Sequence, residues 1–456
     1  MERVDVAVVG GGPAGTAAAW TAAEHGANAV VIEKGVPRAD RDGPGPDSTD
    51  AAGLLDYWID IMEFGTEEIP EDVRLRDLDG ADFIGPSESF QIDHTGIDAS
   101  YPEFGVAFHR AKFDDWLREE AEAAGASYRI GDSVTGVDTT VDGSHQHQVT
   151  LSSGDEITAT YLILADGPQR TITTDVLDQF TGDRKIADVL NPTKVNHIAY
   201  QEHRRVPEEL YDPARLKFWW GIMPGHTAYP WVFPNDDRVC RVGLTMPIGL
   251  DLDAVEHRED YPLIHPDDES IPNGATYIRR LLELEWGEEY DIETDFPLVE
   301  DRGKRDGTET YSISSTRPID SPAEAGIAVA GGAMGTTSAF HEGGDHVAIR
   351  TGAIAGELAA GGNLAAYNDR WRAAIGDELL RNVTFAALCG DYDPDDWDQT
   401  FATARTMVTA KGPTLFTPSA LKSGLAGAKV YYGYKKRKRG FKRNGYVQLT
   451  ADEYVY

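Results

Sequence analysis

Cysteine is nearly absent: the 456 residues contain only Cys240 and Cys389. Two thiols cannot build a disulfide framework, an all-cysteine iron–sulfur site or a zinc cluster. No stretch reaches the 18 or so apolar residues that a membrane-spanning helix requires. No charged-then-apolar leader precedes the first apolar run, "VDVAVVG", so the reading is a cytoplasmic protein without a secretory signal. Basic residues are also scarce, with 42 Lys and Arg against 77 Asp and Glu and a formal net charge of −35. Nine Trp, 19 Tyr and regular apolar runs exclude a disordered chain. A carboxylate-coated surface of the salt-adapted kind fits instead, since screening blunts its self-repulsion.

What is present begins with a βαβ pattern. Residues 4–9 read as a buried strand, "TAAAWTAAEHGA" as a helix and "NAVVIEK" as a second strand. Between the first strand and the helix, Gly10, Gly12 and Gly15 form G-x-G-x-x-G, with Pro13 and Ala14 inside it. Gly10 permits the tight turn, Gly12 lets the backbone approach a pyrophosphate, and Gly15 allows close helix–strand packing. The helix N-terminus adds partial positive charge. Glu33 ends the second strand, where its carboxylate can accept ribose hydroxyls. Strand, helix and acid in these places make a dinucleotide site.

Further along, "AAGLLDYWIDIMEFG" has helical spacing and residues 36–50 read as a loop. "FDDWLREEAEAAGASYRIG" reads as a helix closed by Gly125, and residues 134–165 as a β-meander. Residues 190–300 are dense in aromatics and prolines, as in "LKFWWGIMPGHTAYPWVFPN", and suggest a separate antiparallel sheet.

Three later segments carry a resemblance. "RAKFDDWLREEA" from Arg110, "LILADGPQR" containing Asp166, and "GIAVAGGAMG" with the following "HEGGDHVAIRTGAIAGELAA" resemble the FAD-contacting segments of single-Rossmann flavoproteins. These form the hydroxylase and geranylgeranyl-reductase superfamily. The resemblance implies an α/β fold: a Rossmann-like FAD-binding domain of the hydroxylase type, an inserted antiparallel-sheet substrate domain, and a helical C-terminal region. The expected divisions are residues 1–50, 101–188 and 300–375 for the FAD domain, 51–100 and 189–299 for the substrate domain, and 376–456 for the C-terminal region. It implies FAD contacts at Arg110, Asp166, Gly331, Gly332, Gly343 and Gly344. The family reads G-D-A where this sequence has Gly331-Gly332-Ala333, so the Asp that binds the ribityl chain is missing. His341, Glu342 and Asp345 are either its replacements or solvated loop residues. With one G-x-G-x-x-G in the chain, NAD(P)H would visit rather than occupy its own domain; a ferredoxin is the other reductant open.

Tyr229, Trp231 and Phe233 in "AYPWVFPN" fit the Y-x-W-x-F-P pattern of geranylgeranyl reductases, which saturate isoprenoid C=C bonds on FAD. Alternate strand residues share a face, so these three form either a wide apolar wall for a hydrocarbon or a packed core. The resemblance implies the wall, and a prenylated lipid or quinone as substrate. Halogenases carry a similar W-x-W-x-I-P, which leaves a flavin-dependent monooxygenase or halogenase, or an inactive paralogue, as alternatives. The Cys-Gly segment frequent in the reductases is absent from "RADRDGPGPDSTDAAG". No catalytic acid is identified; Tyr229, Cys240 and His341 are conceivable proton sources. No metal is expected.

One stretch lacks acids rather than bases. Residues 399–451 hold no Asp or Glu and eleven Lys and Arg, seven of them in Lys435–Asn444. No nucleic-acid-binding fold accompanies them, and the acidic body would repel such a partner. For an enzyme of lipids, residues 415–446 suggest docking to the anionic inner face of a membrane, with Tyr431, Tyr432, Tyr434, Phe441 and Tyr446 at the interface level; a clamp onto the acidic body or a disordered tail are the alternatives.

Overall fold

A computed structural model describes residues 2–36, 53–141, 145–192, 195–411 and 425–456. Most of the loop read at 36–50, and residues 415–424, lie outside the described residues.

Five parallel strands form the nucleotide sheet in the order Ser127–Ile130, Ala29–Glu33, Glu2–Val9, Glu156–Leu164 and Ile327–Val329. Val6–Val9 and Ala29–Ile32 are buried on both faces, as parallel strands covered by helices must be. Strand Glu156–Leu164 is forked: its last three residues pair with Ile327–Val329, and its first half pairs antiparallel with His145–Leu151. Strand Val134–Val141 completes that meander.

Helix Pro13–Glu24 starts with proline, whose missing N–H costs nothing at that position. Against it packs helix Asp345–Ala360, and glycine sets the distance between them. A Cβ on Gly352 would sit 2.0 Å from the Ala14 carbonyl oxygen, and one on Gly356 2.1 Å from that of Ala18. The Ala-rich face of one helix therefore meets a glycine face on the other, and both helices begin at the same crevice.

The second sheet has seven strands in the order Thr308–Ile313, His197–Arg205, Val239–Pro247, Tyr229–Pro234, Arg215–Trp219, Gly80–Ile84 and Ser89–Ile92. Thr308–Ile313, grouped from sequence with the FAD domain, is instead its edge strand, because its backbone pairs with His197–Glu202. A three-stranded sheet of Gly53–Leu55, Gly105–Phe108 and Arg74–Leu78 lies beside it. The segment read as one helix from Ala51 is divided: Gly53–Leu55 pairs as a strand, and the helix spans only Asp56–Met62.

Helices Tyr367–Cys389, Pro394–Lys411 and Leu425–Asn444 make the C-terminal region. The chain then returns to the nucleotide domain, where Val447, Leu449 and Tyr454 join its core. Backbone bonds of 2.9 Å from Asp320 to Leu449 and from Gln448 to Pro318 hold this segment. The basic stretch is thus a helix anchored beyond its end. Among the described residues, no helix is long and apolar enough to cross a membrane.

Candidate active site

The crevice at the carboxyl ends of the parallel strands opens into a chamber of about 360 Å³. Gly12, Pro13 and Ala14 line one end together with Ala165, Gly167, Pro168 and Gly332. Gly10 adopts φ 101°, and a Cβ on Gly15 would lie 1.9 Å from the Gly10 carbonyl oxygen. A Cβ on Gly12 would meet nothing within 4 Å, so that backbone faces open space. Neither helix Pro13–Glu24 nor helix Asp345–Ala360 has a side-chain cap, and both begin on this space. Two sets of helix-start amides aimed into one crevice fit a pyrophosphate and an electron-rich ring edge. The residues present therefore fit FAD.

The predicted cofactor residues occupy distinct positions. Glu33 accepts the Gly11 N–H at 2.7 Å and the Gly35 N–H at 2.5 Å, so its carboxylate sits on the glycine turn. Arg110 is buried and pairs with Asp114 at 2.8 Å and Asp345 at 3.1 Å. Asp166 is turned to another use: it accepts Ile172 N–H at 2.7 Å and Thr173 N–H at 3.1 Å, holding the start of helix Thr171–Leu177. Gly331 packs on helix Pro13–Glu24, where a Cβ would come 2.7 Å from the Ala14 Cβ. Gly332, Gly343 and Gly344 line the chamber.

Tyr229, Trp231 and Phe233 do share one face, and all three line the chamber. Their rings follow one another at 5.8 and 6.5 Å. Phe218, Trp220 and Phe340 extend the wall, with Trp220 stacked on Tyr229 at 4.3 Å. The Tyr229 hydroxyl donates to the His341 carbonyl oxygen at 2.5 Å, which ties the substrate sheet to the loop before helix Asp345–Ala360.

In that loop the His341 and Glu342 side chains are packed inward. The His341 ring stacks on Trp58 at 5.0 Å, and burial pushes its pKa down to about 3. The Glu342 side chain is 3% exposed, accepts hydrogen bonds from Thr245 and from Thr227 (3.3 Å), and lies 3.6 Å from His197. Burial pushes its pKa up to about 8. Asp345 is held by Arg110. A Cβ on Gly332 would meet Pro168 first, 3.3 Å away.

Sequence reasoning missed the polar end of the chamber. Arg381 and Asn382 line it and both donate to Glu378, which also accepts from Tyr57 at 3.3 Å. On a helix their i, i+3, i+4 spacing looks like any solvated face. Of the proton sources considered, Cys240 packs in a different core cluster, and burial raises its thiol to about 12.

A glycine-rich crevice on a single parallel sheet, opening into an aromatic chamber on a second sheet, defines a single-Rossmann flavoprotein. Residues 3–241 match the family model described as FAD binding domain, and the chain belongs to that family. It is 26% identical over 416 residues to a digeranylgeranylglycerophospholipid reductase of Methanocaldococcus jannaschii, covering 86% of this chain and 88% of that one. A menaquinone reductase of Mycolicibacterium smegmatis is 25% identical over 405 residues, covering 84% and 83%. The structure of a geranylgeranyl bacteriochlorophyll reductase-like protein from Thermoplasma acidophilum superposes with a TM-score of 0.68 at 20% identity, over 97% of this chain and 99% of that one.

Proposed function

We propose that this protein is an FAD-dependent reductase that saturates C=C bonds in the isoprenoid chain of a membrane lipid or prenylated quinone. The observation that carries the reading is the continuity of the crevice at Gly12 with the aromatic wall of Tyr229, Trp231 and Phe233. A long hydrocarbon gains about 0.8 kcal/mol for each methylene it buries in such a chamber. The names of the two reductase relatives agree with that chemistry.

Gly10, Gly12, Pro13, Ala14 and Gly15 hold the pyrophosphate in this reading, and Glu33 turns from the glycine turn to the ribose. Arg110, Gly331, Gly332, Gly343 and Gly344 shape the space for the ring system. Bound FAD would supply hydride; NAD(P)H or a reduced ferredoxin would recharge it. The chain's own part is to align the alkene along the aromatic wall and keep water out.

A second cavity of about 100 Å³ shares Phe83, Ile92, Trp220, Phe340 and Phe385 with the chamber and reaches Trp397 and Val430. It supports entry of the chain between the C-terminal helices. Helix Leu425–Asn444 turns Tyr432, Lys436, Arg439 and Arg443 outward along one stripe. That stripe supports peripheral docking on the anionic inner face of a membrane in a salt-adapted cell. Tyr434 and Phe441 belong to the interior instead: Tyr434 packs on Phe385 at 4.8 Å and Phe441 on the Ala339 cluster.

The test is to incubate dithionite-reduced, FAD-loaded protein with a geranylgeranylated glycerolipid and a prenylated quinone, then weigh the products. Gains of two mass units per double bond are expected in one of them. FAD bound with no gain in either overturns the reading.

A further inference from the structure

Saturating an alkene needs a proton as well as a hydride, and the chamber offers few groups to give one. Its lining includes two carboxyl groups among the described residues, Asp345 and Glu342. Asp345 is paired with Arg110 at 3.1 Å, so its carboxylate is already engaged by a cation. His341 accepts the Gly343 N–H on Nδ1 at 3.2 Å, so its proton is on Nε2 of a neutral ring, a very weak acid. The Tyr229 proton is committed to the His341 carbonyl, and burial raises that hydroxyl further from acidity.

Glu342 differs on every count. Its side chain is 3% exposed. Among the described residues no Lys or Arg is bonded to it; its hydrogen bonds come from the neutral hydroxyls of Thr245 and Thr227. Thr245 lines the chamber beside it. The backbone at Glu342 takes φ 56°, a strained value for a non-glycine residue, immediately before the Gly343–Gly344 turn and helix Asp345–Ala360. The same loop is tied to the aromatic wall through Tyr229.

From this placement we propose that Glu342 is the proton donor of the reduction. The inference rests on the reductase reading. Bound reduced FAD would supply a hydride, with its two electrons, to one alkene carbon. As the π bond breaks, the other carbon takes the proton from the Glu342 carboxyl. The O–H bond breaks, a C–H bond forms, and Glu342 is left as a carboxylate. The carboxylate takes a proton back from solvent after the step; His197, itself buried, lies 3.6 Å away with its Nε2 3.0 Å from the His226 carbonyl oxygen. The titratable groups facing the carboxyl are His197, Tyr229 and its chain neighbour His341. A carboxyl that titrates at about 8 holds its proton at neutral pH and releases it readily, the match that general acids need.

The experiment uses full-length protein in wild-type, Glu342→Gln and Glu342→Asp forms. Reduced, FAD-loaded protein is mixed with the prenyl substrate, and flavin oxidation is followed by stopped flow from pH 6 to 9. Glu342→Gln should slow that step by about 10²–10⁴-fold, with FAD affinity and dithionite reduction unchanged. Glu342→Asp should keep part of the rate and the alkaline fall of the profile. Independently of activity, infrared spectra of the flavin-free protein should show a protonated carboxyl band that titrates near pH 8 and vanishes in Glu342→Gln. Glu342→Gln within about threefold of wild type, or no such band, overturns the proposal. If Glu342→Gln loses FAD, a Glu342→Asp profile without the alkaline fall overturns it equally. A wild type that reduces no prenyl chain removes the reductase reading as well; an active wild type matched by Glu342→Gln removes only this assignment.

Discussion

At the residue scale, Glu342 and His341 act on stability in opposite directions. The folded pKa of Glu342, about 8, stands above the ordinary 4.5, so the folded protein keeps a proton that the unfolded chain has released. Stability from this group is complete below pH 4.5 and is lost as pH rises towards 8. His341, pushed down to about 3 from 6.5, costs stability in acid and recovers it by pH 6.5. Between pH 6.5 and 8 only Glu342 of this pair titrates. Wild-type protein should therefore lose more stability across that window than Glu342→Gln, as read by urea melts at both ends. Parallel losses would mean that Glu342 is already ionised at neutral pH. None of this was legible in "AFHEGGDH", whose composition is that of a surface loop. Burial here comes from Trp58, Thr227 and Thr245, which lie far away in sequence and carry no mark of their destination.

At the element scale, the sequence was most informative where one element needs one residue type. The first βαβ unit was readable because the turn, the pyrophosphate approach and the helix packing each require glycine. Gly352 and Gly356 obey the same rule, yet in an Ala-rich helix they read as ordinary small residues; only the neighbouring helix gives them a reason. Replacing Gly356 by Ala would improve helix propensity by about 1 kcal/mol. The new Cβ would lie 2.1 Å from the Ala18 carbonyl oxygen, and such overpacking costs about 1–3 kcal/mol. The clash should win, giving a net loss in a urea melt; an unchanged or raised midpoint would show that the helices part without penalty. The substrate strand was legible through its alternation, but the edge strand Thr308–Ile313 was not. Its short mixed pattern carries no sign of which sheet it joins.

For the whole molecule, charge separates into an acidic body and a cationic helix, and salt should act on the two in opposite ways. The formal net charge of −35 repels itself, and the screening length falls from about 10 Å at 0.1 M salt to about 3 Å at 1 M. Raising KCl over that range should raise the melting temperature while releasing the protein from anionic vesicles in flotation. Replacing Lys436, Arg439, Lys442 and Arg443 by Gln should weaken flotation at low salt. Equal flotation would reject docking through this helix, and a falling melting temperature would reject salt adaptation. A truncation before the helix would not be a clean substitute, since it also removes Val447, Leu449 and Tyr454 from the core. The forked strand has a further consequence, for the order of assembly. Glu156–Leu164 is complete only when Ile327–Val329 arrives from beyond the whole inserted sheet. Tyr229–Pro234 pairs with Val239–Pro247 on one side and Arg215–Trp219 on the other, both close by in sequence. Local pairings close sooner than distant ones. The folding chain therefore displays its aromatic wall before the nucleotide crevice exists to cover it, and that interval is when it is most exposed to aggregation.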